Sequence, residues 1–219
     1  IEQLRAITTQ DYSGSLFAFI QVRIRLNEAF RHAHDLGFPF EALTLNKAVD
    51  IIGELLGPDH RDSFTSRNNL AGAYRAAGRL TEAITLYEQV LPDSIRVLGE
   101  DHPNTLNSRN NLAYAYKGEG RLTEAITLYE QVLPDRIRVL GKDHPNTLNS
   151  RNNLAGAYRA AGRLTEAITL YEQVLPDIIR VLGEDHPDTL ASRNNLAGAY
   201  RAAGRLTEAI TLYEQVLPD

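Results

Sequence analysis

Residues Arg67–Ser108 read RNNLAGAYRAAGRLTEAITLYEQVLPDSIRVLGEDHPNTLNS, and the same phrase begins again at Arg109, Arg151 and Arg193. The spacing is 42 residues each time, and the fourth copy stops early, at Asp219. Copy two departs from copy one at Tyr114, Lys117, Gly118, Glu119, Arg136 and Lys142, and copy three at Ile178, Asp188 and Ala191. A period of this size marks a solenoid, in which each unit is one supersecondary element that buries its apolar face by stacking on its neighbours.

The apolar pattern inside one copy is helical. Phe64, Leu70, Ala71 and Tyr74 fall on one stripe at 100° per residue, with Arg67 near its centre. Gly78 ends this first helix and Arg79 opens the connection. Leu80, Ala83, Ile84, Tyr87, Val90, Leu91, Ile95 and Leu98 then hold a 3.6-residue phase until Gly99. The phase runs straight through Pro92, and likewise through Pro134 and Pro176. A proline inside a helix forfeits a backbone bond, so the second helix is expected to be kinked or briefly broken there. In later copies His-Pro, as in His102-Pro103, introduces the first helix: proline fits its first position, and the residue before it is pushed out of helical geometry. The fold class expected is all-α, a stack of antiparallel helix hairpins.

Working outward, Gly57–His60 (GPDH) matches Gly99–His102 (GEDH), so residues 26–66 read as a divergent first repeat, followed by four 42-residue repeats over 67–219 with the last truncated. Terminal repeats are expected to be atypical because they cap the stack. Residues 1–25 read as a cap or remnant helix region leading into a long apolar helix from Leu16 to His34. Phe17, Val22 and Ile24 make that helix apolar on more than one face.

Composition removes several classes of function. Against 28 Asp+Glu there are 23 Lys+Arg, a net charge of −5, which argues against broad binding to nucleic acid or anionic membranes. The absence of cysteine excludes disulfides, thiolate metal sites and cysteine nucleophiles. No apolar run reaches the roughly 18 residues of a spanning helix, and the start does not resemble a signal peptide, so a soluble cytoplasmic protein is expected. With no Met even at position 1, the chain reads as part of a longer one. Nothing points to an enzyme, a cofactor or a metal. The histidines His60, His102, His144 and His186 recur once per hairpin at a capping position, and catalysis needs one asymmetric constellation, which identical repeats do not supply.

The pattern Leu70-Ala71-x-x-Tyr74-x-x-x-Gly78-x-x-x-x-Ala83-x-x-x-Tyr87 resembles the tetratricopeptide repeat. The 42-residue period with LGEDHP before NNLA is similar to the long repeats of kinesin light chains, and the wording RNNLAGAYRAAGRLTEAITLYEQVL to arrays in actinobacterial proteins, which often sit behind a nucleotide-binding signalling domain. The resemblance spans about Leu26 to Asp219. It implies a right-handed α-solenoid whose first helices line a concave groove for peptides, with an asparagine five residues before the first-helix tyrosine contacting the ligand backbone. Those asparagines are Asn69, Asn111, Asn153 and Asn195 here. Arg67 and its copies replace the family's large apolar residue, and Pro92 arrives earlier than the helix-ending proline of the pattern.

The helical wheel points to the same face. Asn69 shares it with Thr65, Gly72, Ala73 and Ala76, about 150° from the centre of the apolar stripe, and small residues around an amide let a partner's backbone approach. The alternative is that these amides satisfy carbonyls of the adjacent hairpin. Arg75, Lys117, Arg159 and Arg201 place one cation per copy beside Asn68 and its equivalents, a row that would attract an acidic segment or a terminal carboxylate. They equally suit the last turn of a helix, where the macrodipole favours cations. Tyr114 replaces glycine on this face in copy two alone, as a specificity bump or as neutral drift. Arg67, Arg109, Arg151 and Arg193 lie mid-stripe and need partners; Glu88, Glu130, Glu172 and Glu214, flanking the second-helix stripe, are the expected ones.

The function expected is a protein-interaction scaffold that takes an extended peptide or partner segment. Its rivals are a self-assembling module, through end-to-end stacking or exchange of the N-terminal helix into a homo-oligomer, and the sensing arm of a larger signalling ATPase.

Overall fold

The computed structural model describes Gly53, Gly57 and residues 59–215. The expectations for residues 1–25 and for most of the first repeat lie outside the described residues. Eight α-helices occupy the described part: α1 Arg61–Ala76, α2 Leu80–Leu98, α3 Pro103–Glu119, α4 Leu122–Leu140, α5 Pro145–Ala160, α6 Leu164–Leu182, α7 Pro187–Ala202 and α8 Leu206–Glu214. The chain divides into two compact units within α3, one ending at Ala115 and the other beginning at Tyr116.

Each first helix starts on histidine. The side chains of His60, His102, His144 and His186 accept the backbone N–H two residues on, through Nδ1 at 3.1–3.2 Å. An imidazole nitrogen thus does the capping that Ser or Asp usually does. Each first helix ends in a glycine of positive φ: Gly78 (74°), Gly120 (84°), Gly162 (75°) and Gly204 (78°). Arg79 N–H returns to the Tyr74 carbonyl and Gly78 N–H to that of Arg75, the two bonds of a Schellman turn. The arginine after the glycine then clips the two helices together. Arg79 lies over the Tyr74 ring at 4.6 Å and pairs with Glu82 at 2.8 Å, and Arg121, Arg163 and Arg205 do the same with their own tyrosine and glutamate.

The second helices run unbroken through Pro92, Pro134 and Pro176. They are not broken there, and these prolines sit on the exposed side, where the missing backbone bond faces water instead of the core.

In the first unit the core is Phe64, Leu70, Ala71 and Tyr74 of α1 against Ala83, Ile84, Tyr87 and Val90 of α2. Leu106, Leu112 and Ala113 of α3 are buried as well. In the second unit Leu148, Ala155, Ala167, Ile168, Tyr171, Val174, Leu175, Ile178, Leu196, Ala199, Tyr200 and Ala209 form one cluster. Side chains buried to this degree contribute about 1.5–3 kcal/mol each for a Val, Leu, Ile or Phe.

The mid-stripe arginines do find carboxylate partners on other elements. Arg109 pairs with Glu100 (3.7 Å) and Arg193 with Glu184 (3.6 Å), in each case nine residues back in the preceding loop. Arg151 meets Lys142 at that position in the sequence, a like charge, and pairs instead with Asp177 at 2.7 Å. Arg67 has Pro58 there and pairs with Asp93 at 3.5 Å. Glu172 is engaged elsewhere, accepting from Tyr200 and pairing with Arg205.

The second unit also buries a cation in its core. Arg136 of α4 is 2% exposed, where the other copies carry Ser94 and Ile178. Its Nη1 donates to the Asn146 carbonyl (2.6 Å) and to Ser150 Oγ (2.7 Å) on α5, and burial pushes its guanidinium down to about 10.

Candidate interaction surface

The face opposite the core stripe of each first helix holds the residues singled out in the sequence. In α1, Asn69 and Ala76 are exposed and Thr65, Gly72 and Ala73 half-buried. Asn111, Asn153 and Asn195, one per later copy, are also half-buried. A helix that turns one stripe inward leaves the opposite one open, so periodicity alone puts the asparagines there.

In the first unit the structure brings Arg75 and Tyr114 together, the guanidinium lying 4.6 Å from the ring centroid. Such a stack favours arginine over lysine, and arginine is what copy one carries there. Asn104 Nδ2 donates to Thr65 Oγ1 at 3.5 Å, so the threonine on the open face of α1 touches the start of α3.

In the second unit, the position equivalent to Tyr114 is Gly156 in α5 and Gly198 in α7. A methyl group at Gly156 would come 3.5 Å from Lys117 Nζ, and one at Gly198 would come 2.5 Å from Arg159 Nη1. Arg159 also donates to the Asn195 carbonyl at 3.4 Å. Each cation therefore leans onto the first helix of the following copy. The second-helix tyrosine arrives from below at the same spot: Tyr171 Oη would be 3.2 Å from a methyl at Gly156, and in the first unit Tyr87 Oη 3.6 Å from one at Gly72.

These tyrosines carry shifted hydroxyls. Burial pushes Tyr87 and Tyr171 up to about 12, with Arg75 and Arg159 respectively pulling the other way. The glycine that looked like room left for a visitor is thus already partly filled, by a tyrosine hydroxyl below and a cation from the preceding copy above. A glycine inside a helix costs about 1 kcal/mol relative to alanine, and its recurrence at Gly72, Gly156 and Gly198 was the available signal that something approaches closely there.

The asparagines differ in engagement. Asn153 Nδ2 donates to Asn149 Oδ1 at 2.7 Å, one turn back on its own helix. Asn195 lends its backbone carbonyl to Arg159. The neighbouring Asn152 accepts from Ser192 Oγ at 3.1 Å, which ties α5 to α7. Arg201, last of the cation row, is exposed.

Among the described residues no group of three or more His, Asp or Glu side chains is placed to hold a metal ion, and no helix is long and apolar enough to cross a membrane.

Comparison with known proteins bears on the same repeats. A tetratricopeptide repeat profile matches residues 31–93, 62–136, 110–177 and 152–218. The chain is 38% identical to a protein from Podosopora anserina described as a kinesin light chain of nearly identical TPR-like repeats, over 89% of this chain and 93% of that one, with TM-scores of 0.75 and 0.73 in two crystal structures. It shares its fold with BtubC (BKLC) from P. vanneervenii, at 20% identity over 91% of this chain and 89% of that one and a TM-score of 0.65. The Rap protein complexed with competence and sporulation factor has the same fold at 11% identity, over 90% of this chain and 62% of that one, with a TM-score of 0.63. No curated protein matches the chain.

Proposed function

The chain belongs to the tetratricopeptide repeat family, with kinesin-light-chain-like repeats that mediate protein–protein interactions, and from this premise we propose that it is a scaffold binding an extended, acidic segment of a partner protein. The observation that carries this reading is the recurrence, on the side of each first helix turned away from the core, of an exposed or half-buried asparagine with a cation six residues further on: Asn69 with Arg75, Asn111 with Lys117, Asn153 with Arg159 and Asn195 with Arg201.

An asparagine amide offers one donor group and one acceptor, the complement of a peptide backbone. A guanidinium carries five N–H donors in a planar fork, so Arg159 retains donors for a carboxylate after its contact with Asn195. Tyr114 gives copy two an aromatic wall, stacked on Arg75, where the other copies have glycine. This makes copy two the place where side-chain identity in the partner is read.

Binding of the intact chain to an array of extended acidic and neutral peptides tests the reading. Asn111→Ala and Asn153→Ala are each expected to weaken the best binders by about tenfold, the worth of one well-made hydrogen bond. Binding that both variants leave unchanged, with no preference for acidic peptides, would assign these amides to the architecture of the repeats alone.

A further inference from the structure

The glycine position of the first helices is occupied differently from copy to copy. In α3 it holds Tyr114, whose ring fills the spot and carries the Arg75 guanidinium 4.6 Å from its centroid. In α7 it is Gly198, and Arg159 presses onto the bare backbone: Nη1 stands 2.5 Å from where a Cβ would be and donates to the Asn195 carbonyl. In α5 it is Gly156, and the cation that reaches it, Lys117 Nζ of α3, stands off at 3.5 Å from the same point. Lys117 is the one lysine in a row that otherwise reads Arg75, Arg159 and Arg201.

Three groups converge on Gly156, all within the second unit. Lys117 comes from the preceding copy, and Tyr171 Oη rises from α6 to 3.2 Å from the missing Cβ. Arg159 stands three residues further along α5, on the same face as Gly156, and its charge acts on the Tyr171 hydroxyl. Tyr171 is 1% exposed, and among the described residues its hydroxyl makes no hydrogen bond. Burial pushes that hydroxyl up to about 12 against the pull of Arg159, so at neutral pH it keeps its proton and can donate. Arg159 forms no ion pair among the described residues.

Resting on the scaffold reading above, we propose that Gly156, Lys117, Tyr171 and Arg159 form a subsite for a phosphoryl group, the one borne by a phosphorylated side chain of the partner segment. Charge selects this ligand: a phosphorylated serine carries about −1.5 to −2 at pH 7, which two cations match, whereas a carboxylate carries a single charge. Shape selects it as well. A phosphoryl group presents three acceptor oxygens turned away from one another, and the donors here approach from α3, α5 and α6; a carboxylate presents two oxygens in one plane. The bare backbone of Gly156 leaves room for the anion to come close. The Tyr114 ring takes that room in copy two, and the Arg159 guanidinium takes it at Gly198, so among these three copies copy three is the one that reads a phosphoryl group.

Two probes test it on the intact chain. The first is inorganic phosphate, followed by NMR at Tyr171 in protein carrying carbon-13-labelled tyrosine, with acetate as the carboxylate control. A saturable shift is expected, with acetate at least about tenfold weaker and Lys117→Gln weakening phosphate by about tenfold, the worth of one charge-assisted hydrogen bond. The second is a set of fluorescent, extended acidic peptides, each made with phosphoserine, glutamate or serine at one position and followed by anisotropy. The phosphoserine form is expected to bind at least about tenfold tighter than the glutamate form. Tyr171→Phe, which keeps the ring, and Gly156→Ala, which puts a methyl group into the spot and suits a helix, should each remove most of that preference, with circular dichroism verifying the fold. Equal affinity for phosphate and acetate, phosphoserine peptides no tighter than their glutamate forms, or a preference that survives both substitutions would overturn the proposal, and binding of the glutamate peptides would then leave the scaffold reading standing. Saturable phosphate binding by a chain that takes no peptide in any form would overturn the scaffold reading and, with it, the assignment of the phosphoryl group to a partner, leaving the free ion as the ligand.

Discussion

The segments Leu164–Glu172 and Leu206–Glu214 are the same nine residues, LTEAITLYE, and both are helical, yet one is covered and the other open. Ile168 is 7% exposed and Ile210 57%. Glu172 accepts a hydrogen bond from Tyr200, and Glu214 stands in solvent. Helix formation is thus settled within the segment, by its glycine-arginine entry and its apolar phase. Burial of the first of them comes from outside the segment, from the first helix α7 that lies down on α6.

The largest test of this contrast is a pair of identical truncations. Ile168→Ala is expected to cost about 2–5 kcal/mol by opening a cavity, and Ile210→Ala to stay within about 0.5 kcal/mol, as read by urea unfolding followed by circular dichroism. Comparable losses at both positions would mean that the face of α8 is covered in solution.

A second test alters the packing on α4, the other covered second helix of this unit. Arg136 is a buried cation at a position where α6 carries the buried Ile178. Replacing a buried charge by a well-packed apolar residue of suitable volume is often stabilising, so Arg136→Ile is expected to raise stability by about 1–4 kcal/mol. A loss of stability would show that its bonds to Asn146 and Ser150 outweigh the cost of desolvation.

The smallest effect concerns the hydroxyl that fixes the register. Burial first, then the bond to Glu172, raises Tyr200 to about 12. A group whose value is raised on folding stabilises the fold fully below its unfolded value, near 10, and that contribution fades as pH rises through the folded value. Stability should therefore fall between about pH 10 and 12, and Glu172→Gln should lower the Tyr200 titration seen by carbon-13 NMR of labelled tyrosine. The same substitution at Glu214 is expected to leave every tyrosine unmoved.

Much of the architecture was legible before any coordinates. The glycines at the helix ends, the histidine caps and the apolar stripes are local signals, and the copies repeat them in register. The apolar phase ran through the prolines and so do the helices, because the cost of a proline depends on which side of the helix it faces. The arginines take their carboxylates from elements distant in sequence or from the preceding loop: Arg67 and Arg151 pair with an aspartate 26 residues on, and Arg109 and Arg193 with the glutamate nine residues back. On the candidate surface, periodicity placed the asparagines correctly on the open side. It did not reveal that Gly156 and Gly198 are already approached by the cation of the preceding copy, a contact between residues about forty positions apart.

What the sequence determined by itself is the unit: two helices, their ends, and the stripe each turns inward, because propensity, capping and turn geometry act over a few residues. What only the tertiary structure decided is how the copies meet. Which arginine takes which carboxylate, which cation lies on which glycine, and which of two identical helices is covered all depend on side chains that approach through space. Near-identical copies cannot announce such differences, since their sequence is the same and only their neighbours change.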